Sequence, residues 1–145
     1  MTAKQADLVR LSFRQLGPTA DRAATLFYNR LFAASPEIRM LFKGDPELQR
    51  QKFMHTLQMM VGSLDRMDVL LPEATELGHR HMQFGVLNAH YDVVGQALIE
   101  ALREELSGFW NAETEAAWLE LYKLLARAMK GEQIEPIPVS FPESR

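Results

Sequence analysis

The sequence contains no cysteine. That excludes disulfides, thiolate nucleophiles, cysteine-ligated zinc and iron–sulfur clusters. It also lacks a basic surplus: Lys and Arg number 16 against 19 Asp and Glu, with a formal charge of -3 and a pI near 5.8. The cations do not cluster either, so nucleic acid is not an expected partner. No apolar run is long enough to span a bilayer, and the opening MTAKQADLVRLSF carries charges where a secretory signal would be apolar. No membrane association is expected, and the cytoplasm is the expected compartment. Sustained alternation of apolar and polar residues, the mark of strands, is missing, as are internal repeats and a glycine-rich dinucleotide-binding motif.

What is present is apolar spacing of helical period through nearly the whole chain, so the fold class is all-α. A hydrophobic content of 47% over 145 residues suits one globular domain with a substantial core. Leu8, Leu11 and Gln15 mark a first helix closed by Gly17, and Pro18 is placed to open a second carrying Phe27 and Leu31. Ser35 as N-cap and Pro36 at the first position predict a short helix ending around Phe42. A long helix over 47–64 shows Phe53, Leu57, Met60, Val61 and Leu64 on one face. After it, Leu70, Ala74, Leu77 and His81 share a face, and Gly85 permits a reversal. The next apolar helix runs from Val93 to Leu106, and the last carries Trp118, Leu121, Tyr122, Leu125 and Met129. The domain is expected over 1–132, with 133–145 a proline-rich, partly ordered extension.

The four histidines are His55, His79, His81 and His90. No two of them are spaced i, i+3 or i+4 on one helical face, so a histidine-built zinc site is not expected. His81 continues the inward face, whereas His79 lies about 200° around the axis and is expected in solvent with His55. His90, at a helix start, reads as a capping or rim residue. For His81 two readings stand: a neutral core histidine bonded to a nearby carbonyl or tyrosine, or the single axial ligand of a haem, whose porphyrin supplies the other iron ligands.

Five blocks in order, LFYNRLF at 26–32, SPEIRMLF at 35–42, LGHRHMQFGV at 77–86, AHYDVVGQAL at 89–98 and AAWLELY at 116–122, resemble the globins. Within that family they are most similar to bacterial single-domain haemoglobins akin to the globin part of flavohaemoglobins, and the likeness covers roughly residues 5–131. The resemblance implies a helical sandwich enclosing a haem pocket, with haem b as cofactor. It makes His81 the proximal iron ligand and Phe42 the aromatic packed on the porphyrin, with Leu77, Val86, Tyr91 and Val94 further lining the cofactor. Tyr28 and Gln49 match distal residues facing the gas. Phe53 matches a cofactor- and ligand-lining position more often filled by a smaller aliphatic side chain. Lys52 beside it is either a propionate partner or a solvated lysine.

On the proximal side Tyr91 matches a tyrosine that, with a glutamate, hydrogen-bonds around the imidazole in flavohaemoglobins. The glutamate position falls on Gln133, with Glu132 beside it, which implies a weaker electron push onto the metal. The implied function is reversible binding of dioxygen, and of NO and CO, for storage, transport or scavenging. An alternative is an NO dioxygenase served by a separate external reductase, because no reductase sequence is recognisable in the chain; a gas or redox sensor is another. A helical module that has lost haem is the least expected. A monomer or homodimer is the expected state.

Overall fold

The computed structural model describes residues 1–132. Seven α-helices follow one another in this part of the chain: α1 Ala3–Leu16, α2 Ala20–Ala34, α3 Pro36–Arg39, α4 Pro46–Gly62, α5 Met67–Gln83, α6 His90–Glu105 and α7 Ala112–Met129. None of the described helices is long and apolar enough to cross a membrane.

The helix starts are set by local polar chemistry. Thr2 accepts from the Gln5 N–H while the Gln5 side chain accepts from the Thr2 N–H, a reciprocal cap that opens α1. Asp45 caps α4 through the Glu47 N–H, and Asn111 caps α7 through the Thr114 N–H. Two boundaries differ from the sequence expectation. Pro18 belongs to a short 3-10 turn over 17–19, so α2 starts at Ala20. Helix α3 is a single turn that stops at Arg39, short of Phe42, and the Ser35 hydroxyl makes no cap there. The Ser35 N–H instead bonds the Leu31 carbonyl and closes α2.

Helix α1 also turns a different face inward than its large apolar residues suggest. Ala6, Val9, Ser12 and Leu16 are buried, whereas Leu11 is 44% exposed and Gln15 lies in solvent. Small side chains at 6 and 12 leave room for Trp118 of α7. The Trp118 Nε1–H donates to Ser12 Oγ at 2.8 Å, and that hydroxyl donates to the Leu8 carbonyl at 2.7 Å. A polar residue sits in the core because both of its neighbours are satisfied through it. Ser12→Ala should therefore cost about 2 kcal/mol, since it strands a buried indole N–H. Urea unfolding checks this, and the loss should shrink when Trp118 is already Phe.

The core joins α1 to α7, α2 to α6 and α5 to α7, with Val9, Leu31, Leu70, Leu102, Trp118 and Leu121 almost fully buried. Two glycines allow the closest approaches. A Cβ on Gly78 of α5 would lie 1.9 Å from the Met129 carbonyl oxygen of α7, so only glycine lets the helices meet there. At Gly95 of α6 the obstacle would be the Tyr122 ring, 2.5 Å away.

Candidate functional site

Helices α2 and α4 converge through aromatic side chains. Phe27 and Phe53 stack face to face, with ring centroids 4.3 Å apart and planes 5° from parallel. The Tyr28 ring meets Phe53 edge-on at 5.7 Å and Phe42 edge-on at 5.5 Å, while Phe32 lies 5.7 Å away. Tyr28 and Phe32 reach the same region because they are one turn apart on α2. Gln49 and Phe53 do so for the same reason on α4. Phe42 enters from the connection between α3 and α4.

The phenol of Tyr28 is thus boxed by four aromatic rings. Burial pushes its pKa up to about 12, and a side-chain hydrogen bond with Gln49 pulls the other way. Tyr28 stays an uncharged O–H donor at any physiological pH, with an amide beside it. The structure gathers Tyr28, Phe42 and Phe53 into one cluster, with Gln49 beside Tyr28. Phe53 lies flat on Phe27 as well as against the phenol, so it both fills core volume and fixes the Tyr28 ring. Phe32 was missed as a member of this cluster. Its spacing of four from Tyr28 was the available signal.

His81 sits on the last turn of α5. Its Nδ1 lies 2.8 Å from the Leu77 carbonyl oxygen, one turn back. A carbonyl only accepts, so Nδ1 carries the proton and Nε2 holds the free lone pair. Burial holds the ring's pKa below the usual 6.5, and the Arg80 charge acts in the same direction against the Leu77 hydrogen bond. The ring is accordingly neutral at pH 7. His79 and His55 are exposed, as expected.

The reversal after α5 is tightly tied. Gly85 takes φ +96°, a conformation that favours glycine, and a Cβ there would come within 3.2 Å of Leu41 Cδ2. This corner therefore packs beside the α3–α4 connection that carries Phe42. The Val86 N–H bonds the His81 carbonyl at 3.0 Å, and buried His90 accepts the Leu87 N–H through Nδ1 at 3.0 Å. His90 thus ties down the turn before α6 and is buried, neither a helix cap nor a rim residue, because the N–H it accepts belongs to Leu87, outside the helix. Leu77, Val86 and Val94 are half-buried around the corner, and Tyr91 is buried.

Tyr91 does not bond to His81 among the described residues. Its carbonyl accepts from the Tyr122 hydroxyl, its ring lies 5.6 Å from the Lys130 ammonium, and burial raises its phenol pKa. Glu132 pairs with Arg127 at 3.3 Å instead of turning toward Tyr91. Gln133 lies outside the described residues. The imidazole is held by the backbone of its own helix.

Among the described residues no group of three or more His, Asp or Glu side chains is placed to hold a metal ion. One neutral imidazole with a free Nε2 suits only a metal that arrives with its other ligands. The model of the globin family matches residues 25–129.

The chain belongs to the globin family. Solved and curated globins bear this out. An engineered carbene transferase, made from a candidate nitric oxide dioxygenase of Rhodothermus marinus, superposes with a TM-score of 0.80 at 27% identity, covering 90% of this chain and 92% of that one. An anaerobic nitrite reductase of rice, Oryza sativa, is 29% identical over 88% of this chain and 92% of its own length. A flavohaemoprotein of Bordetella parapertussis is 31% identical over 74% of this chain, which matches only 27% of that longer protein. Globin membership implies haem and diatomic gases as ligands, and the residues of this globin fit that group. The available donor is one neutral imidazole nitrogen, and the side chains gathered around Tyr28 and near the corner after α5 are apolar and aromatic, as a porphyrin site needs.

Proposed function

We propose that this globin holds haem b through His81 Nε2 and binds dioxygen, and with it NO and CO, on the side faced by Tyr28 and Gln49. Residues 1–132 form the unit that does so; the stretch 133–145 lies outside the described residues. Bound haem supplies the iron that takes up a diatomic gas; the rest is the work of side chains. Phe42, Leu77, Val86, Tyr91 and Val94 exclude water from the porphyrin. Leu77 fixes the tautomer and direction of His81.

The observation that carries the reading is the Tyr28 phenol, enclosed by four aromatic rings and kept neutral by its burial, with Gln49 beside it. Two neutral donors in a dry space favour a ligand whose outer atom is partly negative, dioxygen over carbon monoxide. Each hydrogen bond contributes about 1–1.5 kcal/mol, or roughly tenfold in affinity. Tyr28→Phe and Gln49→Leu should each speed dioxygen release roughly tenfold, read by stopped-flow displacement with carbon monoxide. Unchanged release in both variants would overturn the proposal.

A second reading is supported by the likeness to the Rhodothermus protein and to flavohaemoproteins: dioxygenation of NO, in which NO, dioxygen and one electron yield nitrate. The electron would come from a separate reductase. Mixing the oxygenated protein with NO should then give nitrate over many turnovers once a flavin reductase and NADH are added. A single turnover under those conditions leaves gas binding as the function.

A further inference from the structure

Tyr28 is the shared corner of two triangles of rings. On one side Phe27 and Phe53 stack flat on each other, 4.3 Å apart, and both meet the phenol edge-on. On the other side Phe32 and Phe42 lie 5.3 Å apart with planes 62° from parallel, and each is within 5.7 Å of the phenol ring. No flat stack holds this second triangle. Its outer boundary is Arg39, whose guanidinium carbon lies 5.4 Å from the centre of the half-buried Phe32 ring, within the range of cation–π attraction. The Arg39 carbonyl, in turn, accepts from the Phe42 N–H at 3.1 Å. One residue thus holds Phe32 with its side chain and Phe42 with its backbone. Arg39 also closes α3, a single turn that has little stability of its own, so the contact with Phe32 ties that turn to α2. Among the described residues Arg39 makes no ion pair, and its charge is committed to no carboxylate.

We infer that Arg39 is a positioning residue for the gas-side donor: by pinning Phe32 it keeps the second triangle closed and fixes the direction in which the Tyr28 O–H points. The inference rests on the reading of Tyr28 given above. Its reason is geometric. A swing of the phenol about its first side-chain bond carries the oxygen sideways, and Phe27 with Phe53 blocks that swing on one side only. Phe32 with Phe42 blocks it on the other. Once Phe32 is loose the O–H spends part of its time off line, and a hydrogen bond weakens steeply as its angle closes. A solvated surface arginine, by contrast, would have no influence on Tyr28.

The test uses the full chain loaded with haem and carbon monoxide, a diamagnetic form. The parent, Arg39→Met, Arg39→Lys and Phe32→Leu are compared by the infrared C–O stretch, by the Tyr28 ring resonances in carbon NMR and by stopped-flow dioxygen release. Methionine keeps most of the stem and removes the charge. In Arg39→Met the C–O stretch should gain a second component, from molecules whose phenol points away, the Tyr28 resonances should move, and dioxygen release should quicken about twofold to threefold. Phe32→Leu should act in the same direction, about fivefold. Both effects stay below that of Tyr28→Phe because the donor is retained. Arg39→Lys, which keeps a cation for the ring, should recover most of the difference. A purely structural role would lower Tm and leave the C–O band single. Arg39 is exposed, so Arg39→Met decides the matter whether or not Phe32→Leu retains haem. If Tyr28→Phe itself moves neither the C–O band nor dioxygen release, the donor reading fails, and the Tyr28 resonances alone decide whether Arg39 holds the ring. Resonances identical to the parent's in Arg39→Met would overturn the inference. So would a C–O band that stays single in Arg39→Met although Tyr28→Phe shifts it.

Discussion

His81→Ala is expected to abolish tight haem retention while leaving the helical fold in place. The imidazole is half-buried, and its one hydrogen bond is to the backbone of its own helix, so its removal breaks no tertiary polar contact. What is lost is the neutral nitrogen proposed above to hold the iron. Far-UV circular dichroism should be nearly unchanged, whereas the Soret band should be lost on gel filtration and partly restored by free imidazole. A variant that kept its haem through gel filtration without imidazole would remove His81 from the role.

The same side chain sets a pH dependence. Its pKa in the folded chain lies below 6.5, so above about pH 6.5 the ring is neutral both folded and unfolded and the protein bears no penalty. As pH falls below that value the unfolded chain takes up a proton that the folded one resists. Apo-protein stability should therefore decline on acidification, and haem retention with it, because a protonated imidazole has no lone pair to offer. The contribution of His81 is isolated by comparing the acid limb of the stability curve with that of His81→Ala, which should be flatter.

Gly78→Ala is the second large effect, and it acts through backbone. The added methyl would lie 1.9 Å from the Met129 carbonyl oxygen and 2.5 Å from its carbonyl carbon. No side chain can move aside, so α5 must separate from α7. The expected cost is about 3 kcal/mol, at the upper end of overpacking penalties, or roughly 6–12 °C in Tm. Because His81 lies three residues further along α5, the displacement should also quicken haem loss. Calorimetry of the apo-protein and a haem-transfer assay read the two consequences separately. A stability within 1 kcal/mol of the parent would mean that the helices do not meet as described. Gly62, with nothing within 4 Å of its Cβ position, is the control.

The contrast between α1 and α5 shows how far one-dimensional reading reaches. On α5 the periodicity alone separated His81 from His79, because helical geometry converts a spacing of two residues into opposite faces. On α1 Leu8, Leu11 and Gln15 marked the helix but not its inward face, since Leu11 is exposed and Ser12 is buried. The inward face of α1 was decided by Trp118, more than a hundred residues away, whose bulk needs small neighbours and whose N–H needs an acceptor. The Tyr28 cluster was read in part. Tyr28, Phe42, Gln49 and Phe53 were identified by likeness to a family, but the stacking of Phe27 on Phe53 and the approach of Phe32 depend on the angle at which α2 meets α4.

The amino-acid order by itself determined that the chain is all-helical, that it has no thiol chemistry, and that His81 and His79 take opposite sides of α5. Those properties depend on composition and on residues a turn or two apart, which helix geometry relates directly. Only the folded molecule decided that Leu77 fixes the imidazole proton, that Tyr91 bonds to α7 and not to His81, that Gly78 is a helix contact, and that Arg39 lies over the Phe32 ring. Each of these depends on where a separate helix or a backbone carbonyl comes to rest, and contact between segments distant in the chain leaves no periodic trace along it.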